Sequence, residues 1–109
     1  PEGEAPTRLE RGRILIDGAT LMAYKDGAAL DLTPKEFELL RYLATEPEQI
    51  CSRETLMEKV WNYEGFVGDL RAVDVAVRRL REKLEDDPAN PAFIITRRGL
   101  GYIFRAEEA

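Results

Sequence analysis

The residues best suited to chemistry in this chain are arginines, and they are concentrated in two segments. Residues 71–84 read RAVDVAVRRLREKL, in which five of fourteen side chains are Arg or Lys, and residues 96–102 read TRRGLGY. Guanidinium groups bind phosphates and the O6/N7 edge of guanine through paired hydrogen bonds. The net charge of the whole chain is −5, yet residues 71–105 hold 8 basic and 5 acidic side chains. This uneven distribution predicts a polyanion-binding surface in the last third of the chain.

The first arginine-rich segment predicts a helix over residues 71–85. Four apolar residues recur at helical spacing and should face a core: Val73, Val77, Leu80 and Leu84. The opposite side holds Arg71, Val75, Arg78 and Glu82, with Ala72 and Arg79 at its edge. The alternative interpretation is an ordinary solvated helix that happens to be basic. Such a helix does not need an apolar Val75 on its outer side, whereas a DNA-binding helix can use Val75 to contact a thymine methyl group. Asp74 is expected to pair with Arg78, four residues on, rather than with a cytosine amino group.

The composition argues against an enzyme. The chain has 109 residues, no histidine and one cysteine, so the usual general base and a Cys–His nucleophile pair are both missing. No cofactor or metal site is expected. Cys51, as the single cysteine, cannot form an internal disulfide, and this favours a reducing, cytoplasmic location. Cys51 is predicted to be a small buried residue. A hydrophobic content of 44% and a charged content of 34% suit a single soluble globular domain.

The first third of the chain predicts a tail followed by short antiparallel strands. Residues 1–11 are polar and aperiodic and are interpreted as a linker or tail. Strands are expected near 13–17, 20–24 and 28–32, with tight turns at Asp17–Gly18 and Asp26–Gly27, because Asp-Gly favours the positive φ of hairpin turns. The predicted buried residues of these strands are Ile14, Ile16, Leu21 and Leu30.

Two more helices and a hairpin complete the predicted order. Thr33, Pro34 and Glu36 have the pattern of a capping box that begins one helix. Ser52 is expected to cap the next helix, whose predicted inward residues are Leu56, Met57, Val60 and Trp61. Residues 93–105 predict a strand, a turn over residues 98–101 and a returning strand with Tyr102 and Phe104 in the core. A basic helix followed by an arginine-tipped hairpin is the pattern of a winged helix-turn-helix.

Four segments together resemble a known family, the C-terminal effector domains of OmpR/PhoB-type response regulators. They are LTPKEFELLRYL, SRETLMEKVW, RAVDVAVRRLREKLEDDP and IITRRGLGYIF, and the resemblance covers about residues 12–105. It implies an α+β winged helix-turn-helix over residues 12–106, with an N-terminal four-stranded antiparallel sheet, three helices and a C-terminal β-hairpin wing. Residues 1–11 would then be a linker remnant, and the phosphoacceptor receiver domain would lie outside this chain.

The resemblance also assigns roles to individual residues. It implies that helix 71–85 reads the major groove and hairpin 93–105 the minor groove. The residues at DNA-contacting positions are Arg71, Val75, Arg78, Arg79, Arg81, Thr96 and Arg98. In some members the loop matching WNYEGFVGDL touches RNA polymerase, which makes Tyr63, Glu64 and Phe66 candidate polymerase contacts. Ala72 and Ala76 stand where many members carry Thr and His, a departure that bears on base preference.

The function expected from these observations is sequence-specific binding of double-stranded DNA by the output domain of a two-component transcriptional regulator. The resemblance implies direct-repeat sites bound by a head-to-tail homodimer, with RNA polymerase as a further partner. Two alternatives remain open on the residues alone. One is a winged-helix protein-interaction module that docks RNA polymerase without reading DNA, and the other is a nucleic-acid binder without sequence preference.

Overall fold

The computed structural model describes residues 8–61 and 70–105. In these ranges an antiparallel sheet precedes three helices, and a two-stranded hairpin follows them. The elements are β1 (Arg8–Arg11), β2 (Ile14–Asp17), β3 (Met22–Lys25), β4 (Ala28–Leu30), α1 (Pro34–Thr45), α2 (Arg53–Trp61), α3 (Arg71–Leu84), β5 (Ile94–Arg97) and β6 (Gly101–Phe104). This is the predicted α+β order. No helix within the described ranges is long and apolar enough to cross a membrane.

The four strands of the first sheet pair in sequence order, β1-β2-β3-β4. The two-residue turn at Asp26–Gly27 is confirmed, since Lys25 lies opposite Ala28 and the two turn residues have φ angles of 53° and 84°. The predicted tight turn at Asp17–Gly18 is wrong, because Asp17 lies opposite Met22 and four residues separate the two strands.

The longer turn has a local cause and a consequence for burial. The Asp17 carboxylate accepts a hydrogen bond from the Ala19 N–H at 3.0 Å, which closes an Asx turn, and Leu21 adopts a φ of 59°. Leu21 is therefore 62% exposed and the prediction that it is buried is wrong. Ala23 is buried on β3 instead, beside the correctly predicted Ile14 and Ile16.

β1 lies in the segment that the sequence predicted to be a tail. Its residues pair with β2 from Arg8 opposite Asp17 to Arg11 opposite Ile14. The Arg11 Nε donates to the carbonyl oxygen of Ala44 at 2.9 Å, so this strand is also tied to the end of α1. These long-range partners, rather than an apolar alternation of its own, hold the segment in the sheet.

α1 begins with the predicted capping box, and Glu36 of that box also joins α1 to α3. Thr33 accepts from the Glu36 N–H at 3.1 Å, and the Glu36 carboxylate accepts from the Thr33 N–H at 3.0 Å. The buried Glu36 carboxylate also pairs with Lys83 Nζ at 2.7 Å. Burial raises the pKa of Glu36, but the hydrogen bonds from Lys83 and Thr33 outweigh it and hold the pKa below its usual value.

One core connects the sheet, the helices and the hairpin. Ser52 Oγ accepts from the Thr55 N–H at 3.0 Å and caps α2, as predicted. Leu56, Met57 and Val60 are buried, whereas Trp61 is half-buried. Tyr102 and Phe104 are in the core, as the sequence predicted. α1 packs against α2 and α3 and also against β6, so the hairpin begins from a fixed base.

Candidate nucleic-acid interface

The orientation of α3 is fixed by its buried side. The four predicted core residues are fully buried, none of them more than 1% exposed: Val73, Val77, Leu80 and Leu84. Because these residues form one stripe along the helix, the residues on the opposite side must face outward. The helix ends at Leu84, one residue before the predicted end, and Glu85 is its C-cap.

The outward side of α3 has the composition that the sequence predicted. The exposed residues on it are Arg71, Ala72, Val75, Arg78, Arg79 and Glu82. Val75 is 38% exposed, an apolar contact surface among charged groups. Within residues 8–61 and 70–105, the side chains of Arg78 and Arg79 have no hydrogen bond or ion pair, so their guanidinium groups are available to a ligand. Ala76 is half-buried and packs against the core.

The β5–β6 hairpin projects a second group of arginines. Leu100 N–H donates to the Arg97 carbonyl at 2.8 Å and closes the tip, where Gly99 has a φ of 78°. Arg97 and Arg98 are exposed there, and neither guanidinium group has a hydrogen bond or ion pair to the part of the chain that the structure describes. The sequence favoured Arg98 as the functional arginine, and the structure exposes both.

The base of the hairpin is joined to the segment before α2. Cys51 N–H donates to the Tyr102 carbonyl at 2.8 Å, and Tyr102 N–H donates to the Cys51 carbonyl at 2.9 Å. Cys51 is buried, as predicted, and burial followed by the charge of Glu46 raises the pKa of its thiol. The two backbone hydrogen bonds limit movement of the hairpin relative to the helices.

Asp74 does not pair with Arg78, so that prediction is wrong. One of its carboxylate oxygens pairs with Arg53 at 3.0 Å, and the other accepts from the Tyr102 hydroxyl at 2.6 Å. Asp74 faces α2 and the hairpin, while Arg78 lies on the outward side of α3. Burial, followed by the hydrogen bond to Asp74, raises the pKa of Tyr102 to about 12, so its hydroxyl remains a donor near neutral pH.

Arg81 has three partners inside the domain. Its Nε and Nη2 donate to the Ile94 carbonyl at 3.0 and 2.8 Å, and Nη2 donates to Thr96 Oγ1 at 2.7 Å. The guanidinium also lies 5.7 Å from the centre of the Tyr102 ring. Two predicted DNA-contacting residues, Arg81 and Thr96, therefore contact each other. The predicted contacts to DNA themselves stay predictions for all seven residues.

A cleft of about 300 Å³ separates the start of α2 from the hairpin tip. Arg53, Arg97 and Arg98 line it, together with Glu54 and Asp74. Arg53 was missed by the sequence reasoning, although its place directly after the Ser52 cap puts it in the first turn of α2. The candidate polymerase contacts Tyr63, Glu64 and Phe66 lie outside the described residues.

Comparison with known proteins agrees with this geometry. The family described as "Transcriptional regulatory protein, C terminal" matches residues 27–104, which is most of the chain. Its match begins at the β3–β4 turn and ends with β6, so it includes all three helices and the hairpin.

Several solved structures share both fold and sequence with the chain. It is similar to the Klebsiella pneumoniae RstA DNA-binding domain in complex with the RstA box, with a TM-score of 0.84, 33% identity, and 92% of this chain and 98% of that chain covered. The CpxR DNA-binding domain from E. coli gives a TM-score of 0.79 and 34% identity over 94% of this chain and 100% of that one.

A longer relative is the Thermotoga maritima response regulator DrrB, an OmpR/PhoB homolog. It matches with a TM-score of 0.82 and 33% identity over 91% of this chain, which spans 44% of DrrB. The chain therefore belongs to the family of transcriptional regulatory protein C-terminal domains, the winged helix-turn-helix effector domains of OmpR/PhoB-type response regulators.

Proposed function

We propose that this chain binds double-stranded DNA sequence-specifically as the output domain of a two-component transcriptional regulator. α3 lies in the major groove and the β5–β6 hairpin reaches the minor groove. The observation that carries the proposal is the outward side of α3, where Val75 stands exposed beside Arg78 and Arg79. The RstA domain, a relative of 33% identity, was solved in complex with its DNA box.

The outward side of α3 offers the contacts that base reading needs. The major groove admits an α-helix, and arginine can bind guanine O6 and N7 with two hydrogen bonds. A small apolar side chain such as Val75 contacts a thymine methyl group without a buried polar penalty. Within the described residues the side chains of Arg78 and Arg79 form no ion pair, so no such pair has to be broken before they bind DNA.

The hairpin offers a different kind of contact. A narrow minor groove has an enhanced negative potential that attracts arginine. Arg98 is exposed at the hairpin tip, next to Gly99, which leaves space around the backbone. Arg53 and Arg97 line the cleft beside the hairpin tip, and we propose that they contact phosphates.

The family supports three further partners for this chain, which are a second copy, a receiver domain and RNA polymerase. We propose that two copies bind direct repeats head to tail and that a receiver domain controls this assembly. RNA polymerase is the proposed partner of Tyr63, Glu64 and Phe66, and the cytoplasm is the proposed location. Catalysis and cofactors are not part of the proposal.

Selection of bound duplexes from a random pool tests the proposed function. We expect one enriched motif, and titration on that duplex should show log affinity falling linearly with log salt concentration. Binding without an enriched motif would instead indicate a non-specific nucleic-acid binder. Absence of duplex binding even at low salt would favour the protein-interaction module.

Removing either outward arginine of α3 should weaken specific binding. We expect Arg78→Ala or Arg79→Ala to cost roughly 1–3 kcal/mol on the enriched duplex if the side chain makes a bidentate base contact. Affinity on enriched and scrambled duplexes is the measurement. Arg41→Ala, on the exposed surface of α1, removes the same charge and should have little effect. Equal losses on both duplexes would show that the α3 arginine contacts phosphate only.

Removing the hairpin arginine should change a different preference. We expect Arg98→Ala to weaken binding by roughly 1 kcal/mol more when the duplex carries an A/T-rich flank than when it carries a G/C-rich flank. The measurement is competition between two duplexes that differ only in that flank. A uniform loss on both duplexes would contradict minor-groove reading by Arg98.

A further inference from the structure

A group of side chains joins α3 to the base of the hairpin, and we call it the wing clamp. It consists of Asp74 and Arg81 on α3, Thr96 on β5 and Tyr102 on β6, together with the Ile94 carbonyl. We propose that the wing clamp positions the hairpin relative to α3 and so sets the separation between the major-groove and minor-groove contacts. Arg81 and Asp74 are then positioning residues. This inference rests on the proposed function.

The geometry of Arg81 supports a positioning role. Its guanidinium donates three hydrogen bonds to β5 and lies against the Tyr102 ring on β6. These interactions occupy both its edge and its face. A guanidinium fixed in this way connects the two strands of the hairpin to the last turns of α3.

Asp74 makes the second connection, about two helical turns before Arg81 and on the same side of α3. Its hydrogen bond from Tyr102 is 2.6 Å long, and Tyr102 is 8% exposed. The ring of Tyr102 thus meets Arg81 while its hydroxyl meets Asp74. One side chain of β6 is held at two points along α3, which resists both sliding and rotation of the hairpin.

The charge of Asp74 makes its role unusual. A carboxylate near a DNA-binding surface repels phosphates, so its removal alone should increase non-specific affinity. In the wing clamp the negative charge of Asp74 is compensated by the Arg53 guanidinium, which lies 3.0 Å from one carboxylate oxygen. We therefore expect Asp74→Ala to raise or preserve affinity for a scrambled duplex while it lowers the ratio of specific to scrambled affinity.

The test compares Arg81→Lys and Tyr102→Phe with Arg78→Lys in the full chain. Lysine keeps the charge of Arg81 but loses the planar fork, and phenylalanine keeps the ring of Tyr102 but loses the hydroxyl. The first readout is the ratio of affinities for the enriched duplex and a scrambled duplex of the same composition. We expect both clamp variants to lower this ratio by roughly tenfold, the loss of one base-reading contact.

The second readout needs no DNA. Spin labels attached through Ala72→Cys and Leu100→Cys, in a Cys51→Ala background, report the distance between α3 and the hairpin tip. Both clamp variants should broaden or shift this distance distribution, whereas Arg78→Lys should leave it unchanged. A merely stabilising role would lower both affinities by the same factor and leave the ratio unchanged.

An unchanged distance distribution in both clamp variants overturns the proposal, and so does an unchanged affinity ratio on an enriched duplex. A fully functional Arg81→Lys would indicate a simple phosphate contact. If the unmodified chain enriches no motif, the proposed function fails. The label distances alone then decide whether the wing clamp positions the hairpin.

Discussion

Replacing Gly101 by alanine is expected to lower the free energy of unfolding by about 3 kcal/mol, because the added methyl group has no space and the backbone conformation is unfavourable. A Cβ at this position would lie 2.1 Å from the Cys51 carbonyl oxygen, and the φ of Gly101 is 142°. The clash is with backbone, which cannot rotate away. Urea denaturation of the unmodified chain and of Gly101→Ala measures the loss of unfolding free energy.

Gly99 provides the matched control for this substitution. It also has a positive φ, 78°, but nothing lies within 4 Å of the Cβ that alanine would add. Gly99→Ala should therefore cost only about 1 kcal/mol of backbone strain. If both alanines destabilise equally, the close approach of the hairpin to Cys51 is not what requires glycine at residue 101.

Glu85→Ala is expected to cost about 3 kcal/mol, since it leaves buried backbone donors without an acceptor. Glu85 is 6% exposed, and its carboxylate accepts hydrogen bonds from three successive N–H groups, those of Ala92, Phe93 and Ile94. Their lengths run from 2.7 to 3.1 Å. Thermal or urea unfolding measures the loss.

Two further variants give this prediction its specificity. Glu85→Gln keeps the shape but presents an NH2 group to donors, so we expect it to recover only part of the lost stability. Glu82→Ala, on the exposed side of α3, should change stability by less than about 0.5 kcal/mol. Full stability in Glu85→Gln would show that one acceptor oxygen is enough.

Local signals explain which parts of the fold were predictable. The capping box of α1 depends on Thr33, Pro34 and Glu36, which are neighbours in the sequence. The buried side of α3 follows from the helical period alone, so Val73 and Leu80 were placed correctly. The prediction of a tight turn at Asp17 was wrong. Asp-Gly favours a two-residue hairpin turn, whereas the Asp17 carboxylate closes a longer turn here.

Long-range partners explain what was missed. β1 contains few apolar residues and is held by its pairing with β2 and by the bond from Arg11 to Ala44. The acceptor role of Glu85 was not predicted, because it depends on donors seven to nine residues away. The wing clamp joins α3 to strands later in the chain, so neither composition nor periodicity could reveal it.

The division of α3 into two sides has a consequence for how such a domain can change during evolution. The buried stripe packs in the core and Arg81 binds the hairpin, while Val75, Arg78 and Arg79 contribute exposed surface. Substitutions at exposed positions without internal partners usually change stability by less than about 0.5 kcal/mol. On the proposed function, we therefore expect new base preferences to be accessible through single substitutions at these three positions, with the scaffold left folded at every step.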